Sequence, residues 1–222
     1  MLWCAASVAP AASPLLMSAG RFRIPSFMAK EAVNKGPFVA RAWNMDEPHQ
    51  AFRTEVGKLA EQWLGNGLPS RQVLERSAEK LQALRKKMGV QGLWAVAPCM
   101  ITATLDDGLG QGLAIIEAFA AAIGIRLVSL GLMRTPEEVV DTCCRHRPDF
   151  LGMTVLQFDT EDELKAIAAQ LPPNTQIVAG GPVFSGDPEF AARTGCHYAA
   201  RDVADFLRYM VDNAATAAAA RT

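Results

Sequence analysis

Hydrophobic residues in the second half of the chain occur in short runs that alternate with helix-like segments. The clearest case spans residues 150–184, where one apolar run ends at Thr154-Val155-Leu156 and a second ends at Gly180-Gly181-Pro182. The segment between the two runs has helical spacing and its own start and stop signals. Apolar runs of this length, separated by a helix, are typical of two buried parallel strands. Both strands would then end at the same edge of a sheet, which is where ligands bind in open α/β sheets.

The same alternation extends over residues 91–213. Further strands are predicted at Leu93–Ala97, at Arg126–Leu130 and around His197–Ala199. Two capping boxes, each a Thr followed three residues later by a Glu, predict helix starts at Thr135 and Thr160. Strand and helix alternate five times, so the pattern predicts an α/β fold with a doubly wound, five-stranded parallel sheet.

The remaining residues lie outside this predicted domain. Residues 1–44 show neither helical nor strand periodicity, and we expect them to form a disordered or loosely docked tail. Residues 45–90 contain two amphipathic patterns separated by Gly65-Asn66-Gly67, which predicts a helical hairpin that caps the α/β domain. Residues 214–222 are rich in alanine, and we expect them to be frayed.

Composition limits the class of protein. The chain has 222 residues and a formal net charge of −1, so it lacks the basic surplus of most nucleic-acid binders. Its five cysteines lack CxxC spacing, which argues against a disulfide framework and against a structural zinc site. No apolar run approaches the roughly 20 residues needed to span a bilayer. These features favour a protein of the reducing cytoplasm.

The segment Pro98–Gly112 is predicted to be a loop between the first strand and its helix. It exceeds the usual length of about two to six residues, and unusually long loops are often functional. Gly108, Gly110 and Gly112 stand beside a helix start, where backbone amides can bind a phosphate. Asp106-Asp107 would repel that anion, so the spacing is weak evidence for a nucleotide site.

The sequence offers little sign of catalysis. It contains no Ser-His-Asp order, no HExxH motif and no P-loop. Cys99 is the one nucleophile candidate in a sensible place, and a free Cys is commonly a small buried hydrophobic residue. The sequence therefore predicts a protein that is not an enzyme.

Several short motifs occur in a fixed order: Thr-Pro-Glu-Glu from Thr135, His-Arg-Pro-Asp from His146, Gly-x-Thr-x-Leu from Gly152 and Gly-Gly-Pro from Gly180. This order resembles the cobalamin-binding domain of methionine synthase and of light-sensing cobalamin regulators, over roughly residues 92–211. The resemblance implies cobalamin as the cofactor. It also implies a set of cofactor-binding residues: Thr154, Val155, Leu156, Gly180, Gly181, Pro182, Gly108 and Gly110.

This chain differs from that family in one motif. The family has Asp-x-His-x-x-Gly in the first loop, and its His ligates the cobalt. Aligned on Gly110, the chain has Leu105 in place of the Asp and Asp107 in place of the His. The usual cobalt ligand is therefore missing from the first loop.

A branch of the family that lacks the loop His is the AerR/PpaA group of photosynthesis-gene antirepressors, with its haem-binding relatives. The chain resembles this group most. The resemblance implies a regulator that changes the hold of a partner repressor on DNA in response to light or redox state, through a bound tetrapyrrole. The alternatives are haem in place of cobalamin, and a corrinoid carrier protein of a methyltransferase system. The missing loop His argues against the carrier, since such carriers usually hold cobalt through that residue.

Three residues are candidates for contacts with the axial faces of the cofactor. The cap of the photoreceptor branch supplies a Trp, and Trp63 is its counterpart here. The resemblance favours His146 as a cobalt ligand, with His49 as the alternative. His146 precedes the third strand and Thr154 ends it, which separates them by roughly 26 Å of extended chain. The role of His146 therefore requires a second site or a neighbouring subunit.

Overall fold

The structure, a computed structural model, describes residues 47–107 and 111–219. The predicted tail over residues 1–44 lies outside the described residues, and so do the loop glycines Gly108 and Gly110. None of the described helices combines the length and the apolar character that a membrane crossing requires.

Strands and helices alternate after an N-terminal pair of helices. The pair consists of α1 (Glu47–Asn66) and α2 (Arg71–Met88). The strands are β1 (Cys99–Thr104), β2 (Arg126–Gly131), β3 (Phe150–Thr154), β4 (Gln176–Gly180) and β5 (Tyr198–Ala200). The later helices are α3 (Gln111–Ala122), α4 (Pro136–His146), α5 (Glu161–Ala168), α6 (Pro182–Gly186), α7 (Phe190–Thr194) and α8 (Val203–Ala219).

The five strands form one sheet in the order β2-β1-β3-β4-β5, and every neighbouring pair is parallel. Successive strand residues point to opposite faces of a sheet. Met100, Phe150 and Val178 accordingly pack on the face that α1, α2, α3 and α8 cover. Ile101, Leu151 and Ile177 pack on the other face, under α4 to α7. The predicted α/β class with a doubly wound, five-stranded parallel sheet is confirmed.

The first strand lies later in the chain than the sequence predicts. The predicted strand Leu93–Ala97 is irregular, and β1 begins after Pro98. All six residues of β1 are buried, because this strand lies between two neighbours and under helices on both faces. Thr102 and Thr104 lie within this strand, and β-branched threonine suits a strand. The loop predicted over Pro98–Gly112 is therefore much shorter than expected.

The N-terminal helices pack outside α3 and α8, and three polar contacts fix the open end of the hairpin. The ring Nδ1 of His49 donates to the carbonyl oxygen of Gly92 (2.9 Å), and Arg53 donates to that of Leu93 (2.9 Å). Arg85, near the end of α2, donates to the carbonyl oxygen of Gln91 (2.8 Å). Residues 91–93 lie near the amino ends of the strands. The turn between α1 and α2 therefore points toward the carboxyl edge of the sheet.

Two predictions about helix ends are corrected. Thr135 does form the predicted capping box with Glu138, but Thr160 caps no amide with its side chain. Thr160 already belongs to a 3-10 turn, and its hydroxyl donates to the carbonyl oxygen of Gln157 (2.8 Å). The tail predicted over residues 214–222 is helical as far as Ala219, because Ala214 is buried against the core and extends the apolar face of α8.

Gly124, between α3 and β2, permits a close approach of two chain segments. Its φ is +94°, and an added Cβ would collide with the carbonyl oxygen of Gln91. Gly89 also has a positive φ (+67°), but no atom lies within 4 Å of its added Cβ. We expect Gly124→Ala to lower the free energy of unfolding by about 3 kcal/mol and Gly89→Ala by about 1 kcal/mol. Urea denaturation followed by circular dichroism measures both, and equal losses would contradict the collision.

Candidate functional site

The carboxyl ends of four strands lie level with one another. Pairing sets Thr104 of β1 beside Thr154 of β3, Thr154 beside Gly180 of β4, and Gly180 beside Ala200 of β5. The hydroxyl of Thr104 donates to the carbonyl oxygen of Thr154 (2.7 Å), which holds β1 and β3 together at this edge. The result is a flat edge of small residues at the place where ligands bind in open parallel sheets.

A cavity of about 560 Å³ opens at this edge and continues between the sheet and the helices α3 and α8. Its volume falls within the range of small-molecule sites. Most of its lining is apolar, and the deeper part includes Met100, Ile116, Val178 and Phe206. Leu68 of the α1–α2 turn and Leu74 of α2 also line it, so the hairpin contributes one wall.

Gly152, in the middle of β3, lines the cavity. Register places Gly152 between Thr102 of β1 and Val178 of β4, all three of which line the cavity. An added Cβ at Gly152 would collide with the end of the Met100 side chain. The end of the Met100 side chain therefore lies where a side chain at this position would be, and both residues line the cavity.

A hydroxyl and a carboxylate meet where β1 faces α3. The side chain of Thr102, which is completely buried, donates to Oε1 of Glu117 on α3 (2.6 Å). Buried polar groups are costly unless they are hydrogen-bonded, and this pair satisfies that requirement. The contact fixes the separation of α3 from the sheet beside the cavity.

Gly181 allows the chain after β4 to lie close to the chain after β3. Its φ is +131°, and an added Cβ would collide with the carbonyl oxygen of Val155. The backbone N–H of Val155 in turn donates to the carbonyl oxygen of Gly180 (2.8 Å). The sequence suggested that Gly180-Gly181 leaves room for a ligand. The structure adds that any side chain at Gly181 would disturb the join between the two strand ends.

Asp106 ties the loop after β1 to the loop after β3. It is 6% exposed, and its Oδ2 accepts a hydrogen bond from the backbone N–H of Leu156 (2.8 Å). Leu156 lines the cavity, so this bond positions one part of its rim. Burial raises the pKa of the Asp106 carboxyl above its ordinary value, and the charges of Asp159 and Asp107 act in the same direction against the hydrogen bond from Leu156.

A charged cluster stands at the side of the cavity mouth. Arg201 and Asp202, which directly follow β5, line the cavity. The buried carboxylate of Asp205 accepts hydrogen bonds from Arg201, from Tyr198 and from Arg208. The ring of Tyr198 stacks on that of Tyr209, with centroids 4.0 Å apart. This side of the mouth is therefore polar, while the rest of the lining is mostly apolar.

The structure brings together five of the residues that the sequence predicts to bind a cofactor: Thr154, Leu156, Gly180, Gly181 and Pro182 all line the cavity. Val155 does not, because it is 1% exposed and packs on the opposite face of the sheet. Trp63 is 6% exposed, and its ring packs edge-on against Phe119 of α3, with centroids 5.6 Å apart. In this conformation the hairpin reaches the cavity through Leu68 and Leu74, and Trp63 is part of the core.

None of the three histidines lines the cavity. His146 is exposed at the end of α4, before β3 begins, so it lies toward the opposite edge of the sheet. His49 contacts Gly92 near that same amino edge. The ring Nδ1 of His197 accepts a hydrogen bond from the backbone N–H of Ile177 (3.0 Å). A cobalt-ligating role for His146 or His49 stays a prediction, and it requires a partner chain or a different site.

Several residues of the cavity could not be recognised from the sequence. Leu68, Leu74, Thr102 and Gly152 could not be assigned, since the position of the hairpin and the start of β1 were needed first. Arg201 could have been found, because it lies two residues beyond the predicted strand His197–Ala199 and the rule that ligands bind at strand ends applies to all five strands.

Asp106 gives a test of the tie between the two loops. In Asp106→Ala the Leu156 N–H loses its acceptor, so we expect the free energy of unfolding to fall by about 1–3 kcal/mol. In Asp106→Asn the amide oxygen can still accept that hydrogen bond. Denaturation curves with urea measure both variants at each pH.

The wild type and Asp106→Asn also differ in the pH dependence of their stability. Because the folded-state pKa of Asp106 is raised, the wild type binds this proton more tightly when folded, and its stability declines as the pH rises from about 4 through that pKa. The Asn variant lacks this decline. The free energy of unfolding of Asp106→Asn relative to that of the wild type should therefore rise over that pH interval and then level off. Parallel curves of unfolding free energy against pH for the two proteins would contradict the raised pKa.

The chain is similar to known cobalamin-binding proteins in fold and, over part of its length, in sequence. No curated protein matches the chain. A cobalamin-binding protein from Desulfitobacterium hafniense DCB-2 is similar in structure, with 20% identity, a TM-score of 0.62, and coverage of 73% of this chain and 79% of that one. The methanol:cobalamin methyltransferase complex from Methanosarcina barkeri shows 17% identity and a TM-score of 0.51, over 77% of this chain and 67% of that one.

At these identities the two structures establish the fold, and the sequence match is more specific. Residues 99–206 match the profile of the B12 binding domain family. This interval begins with the first residue of β1 and ends within the first turns of α8, so it contains the whole sheet and most of the cavity lining. Residues 99–206 are therefore similar to the B12 binding domain family, and the chain has the Rossmann-like fold of cobalamin-binding domain structures.

Proposed function

We propose that the protein binds a corrinoid at the carboxyl edge of its sheet. The observation that carries the proposal is the cavity itself, which opens at a level row of strand ends and extends under α3 and α8 within the segment that matches the B12 binding domain. A complete corrinoid consists of a flat macrocycle and a flexible nucleotide arm that ends in an aromatic base. A flat edge joined to a deep apolar cavity suits both parts.

The residues present fit such a ligand. Gly152 and Gly180 add no side chain of their own to the lining, and the apolar lining of Met100, Ile116 and Val178 suits an aromatic base. Thr154, Leu156 and Pro182 would contact the macrocycle at the edge. When bound, the corrinoid supplies a cobalt centre whose axial ligands can be exchanged. This chain contributes no histidine to that centre in the present conformation, which weighs against haem as well as against a directly ligated cobalt.

We propose further that the protein has no catalytic chemistry of its own. Burial raises the pKa of the Cys99 thiol and raises that of Cys143 to about 12, so neither is a thiolate at neutral pH. Among the described residues, no group of three or more His, Cys, Asp or Glu side chains could hold a metal ion. Function would then depend on a protein partner that responds to the bound corrinoid.

The narrower proposal is a light- or redox-responsive antirepressor that acts on a DNA-binding repressor of photosynthesis genes. Its support is the resemblance to the AerR/PpaA group, together with the exposed carboxylate of Asp107 at the place where the family has its cobalt-ligating His. The formal net charge of −1 supports action through a partner and not through direct DNA binding.

A corrinoid carrier for a methyltransferase is the second candidate. It is favoured by the similarity of fold to the methanol:cobalamin methyltransferase complex. The two candidates share the cavity and differ in what the partner does, so binding of the corrinoid and action on a partner need separate experiments.

Corrinoid uptake can be tested with a variant that fills the mouth of the cavity. Gly112 of α3 lines the cavity, is exposed, and has no atom within 4 Å of an added Cβ. Gly112→Phe should reduce cobalamin affinity at least about tenfold without loss of stability, because replacing a helical Gly favours a helix by up to about 1 kcal/mol. Absorbance titration with cobalamin, and in parallel with haem, measures the affinities.

Gly65→Phe is the matched control for this experiment. Gly65 is also an exposed helical glycine with no atom within 4 Å of its added Cβ, but it does not line the cavity. Equal effects of the two variants would place the corrinoid elsewhere. If the wild type takes up neither cobalamin nor haem, the proposed function is refuted. If it takes up haem alone, haem is the cofactor in place of cobalamin.

The role of the partner can be tested after the protein has been loaded with cobalamin. For an antirepressor, gel-shift assays should show no sequence-specific DNA binding by this chain alone, and a changed DNA affinity of a co-purifying repressor when the loaded chain is added. Illumination should alter that change. Methyl transfer from the bound corrinoid to a thiol at enzymatic rates, with a purified methyltransferase, would favour the carrier and overturn the antirepressor.

A further inference from the structure

The guanidinium of Arg201 stands at the mouth of the cavity. Arg201 follows the last residue of β5 and lines the cavity together with Gly180 and Gly181, and its side chain is 67% exposed. Pairing of Ala200 with Gly180 places Arg201 directly beside the level row of strand ends. Anything that passes from the edge into the cavity would therefore pass close to this cation.

Arg201 is held in place by a buried carboxylate. The Oδ2 atom of Asp205 accepts hydrogen bonds from the backbone N–H (3.2 Å) and from the Nε–H (3.3 Å) of Arg201. Asp205 is 3% exposed, and its Oδ1 accepts from the hydroxyl of Tyr198 (2.9 Å) and from Arg208 (2.7 Å). Burial by itself would raise the pKa of Asp205, but the hydrogen bonds from Arg201 and Tyr198 outweigh it and hold the pKa below its ordinary value. The carboxylate is therefore a fixed, charged support.

This support leaves the outer part of the guanidinium available. Asp205 engages the Nε–H of Arg201, and within the described part of the chain the two terminal nitrogens of Arg201 form no hydrogen bond. Those two nitrogens lie in the plane of the guanidinium and suit two oxygens of a phosphate or a carboxylate. A guanidinium that is already positioned loses less side-chain freedom when it binds an anion.

The neighbouring charges limit how an anion could be held here. Asp202 also lines the cavity, and its Oδ1 accepts a hydrogen bond from the backbone N–H of Asp205 (2.9 Å). The carboxylates of Asp202 and Asp205 balance the charges of Arg201 and Arg208, so the cluster exerts no strong general attraction on anions. Specific hydrogen bonds from Arg201 remain as the means of recognition.

We propose that Arg201 binds the phosphodiester in the nucleotide arm of the corrinoid, and so makes the site selective for complete corrinoids over those that lack the arm. The inference rests on the proposed corrinoid function. In a complete corrinoid the phosphodiester lies between the macrocycle and the terminal base. With the macrocycle on the edge and the base in the cavity, that group would be at the mouth, where Arg201 stands.

The test compares cobalamin with cobinamide, a corrinoid without the phosphodiester and the base. Absorbance titration of the full chain gives the two dissociation constants for the wild type and for Arg201→Gln. We expect Arg201→Gln to weaken cobalamin binding about tenfold, in keeping with the loss of charge-assisted hydrogen bonds, and to leave cobinamide binding unchanged. Arg201→Lys retains the charge without the planar fork and should fall between the two.

Arg208→Gln is the matched control. Arg208 donates to the same buried carboxylate of Asp205, but it does not line the cavity. We expect this variant to keep the wild-type ratio of the two dissociation constants. A parallel loss of affinity for both corrinoids in Arg201→Gln, or the same change of ratio in both variants, would assign Arg201 a purely structural role and overturn the inference.

Salt dependence gives an independent outcome. Raising the ionic strength should weaken cobalamin binding more in the wild type than in Arg201→Gln, because only the wild type has the ion pair. Full cobalamin affinity in Arg201→Gln would overturn the inference while the proposed function stands. If the wild type binds neither cobalamin nor cobinamide, both the inference and the proposed function are overturned.

Discussion

A missing side chain in the central strand shapes the site. Gly152 of β3 lies where the sheet faces α3 and α8, between Thr102 and Val178. The end of the Met100 side chain lies where its Cβ would be, and all four residues line the cavity. An apolar cavity reduces the stability of a folded protein, since the atoms that line it lack packing partners. A ligand that fills the space restores those contacts, and it stabilises the protein in proportion to the logarithm of its concentration above the dissociation constant.

The α1–α2 hairpin completes this arrangement by closing one side of the cavity. Its open end is fixed near the amino edge of the sheet by contacts of His49, Arg53 and Arg85 with residues 91–93. Its turn supplies Leu68 at the cavity. The aromatic residue expected to cover a ligand, Trp63, packs instead on Phe119 and holds α1 against α3. The hairpin therefore works as a wall of the binding cavity that is built on the helical layer.

The sequence was most informative where the hydrophobic pattern agreed with the residues that start and end helices and strands. The runs ending at Thr154 and Gly180, with a helix between them, predicted two neighbouring parallel strands, and their pairing confirms it. It was least informative around Pro98, where an apolar segment that is not a strand precedes a strand that contains two threonines. The spacing of hydrophobic residues cannot distinguish the irregular segment before Pro98 from the strand after it. A strand that is buried on both faces shows no alternation, and its burial depends on neighbours that are distant in sequence.

The cavity lining shows the same limit. Gly152 is inconspicuous in the sequence, since the need for a glycine there comes from the Met100 side chain of the neighbouring strand. The capping box at Thr135 could be predicted from four consecutive residues. The contact between Arg201 and Asp205 could not be predicted from the sequence. It holds Arg201 in place because Asp205 is buried, and only the packed structure shows that burial.

The stacked pair of tyrosines beside Asp205 has a spectroscopic consequence. Tyr198 and Tyr209 are the two tyrosines of the chain, and the hydroxyl of Tyr198 donates to the carboxylate that positions Arg201. Every tyrosine band in the near-ultraviolet circular dichroism spectrum therefore arises from one place, next to the mouth of the cavity. The protein carries an intrinsic optical probe of that charged cluster, which needs no label.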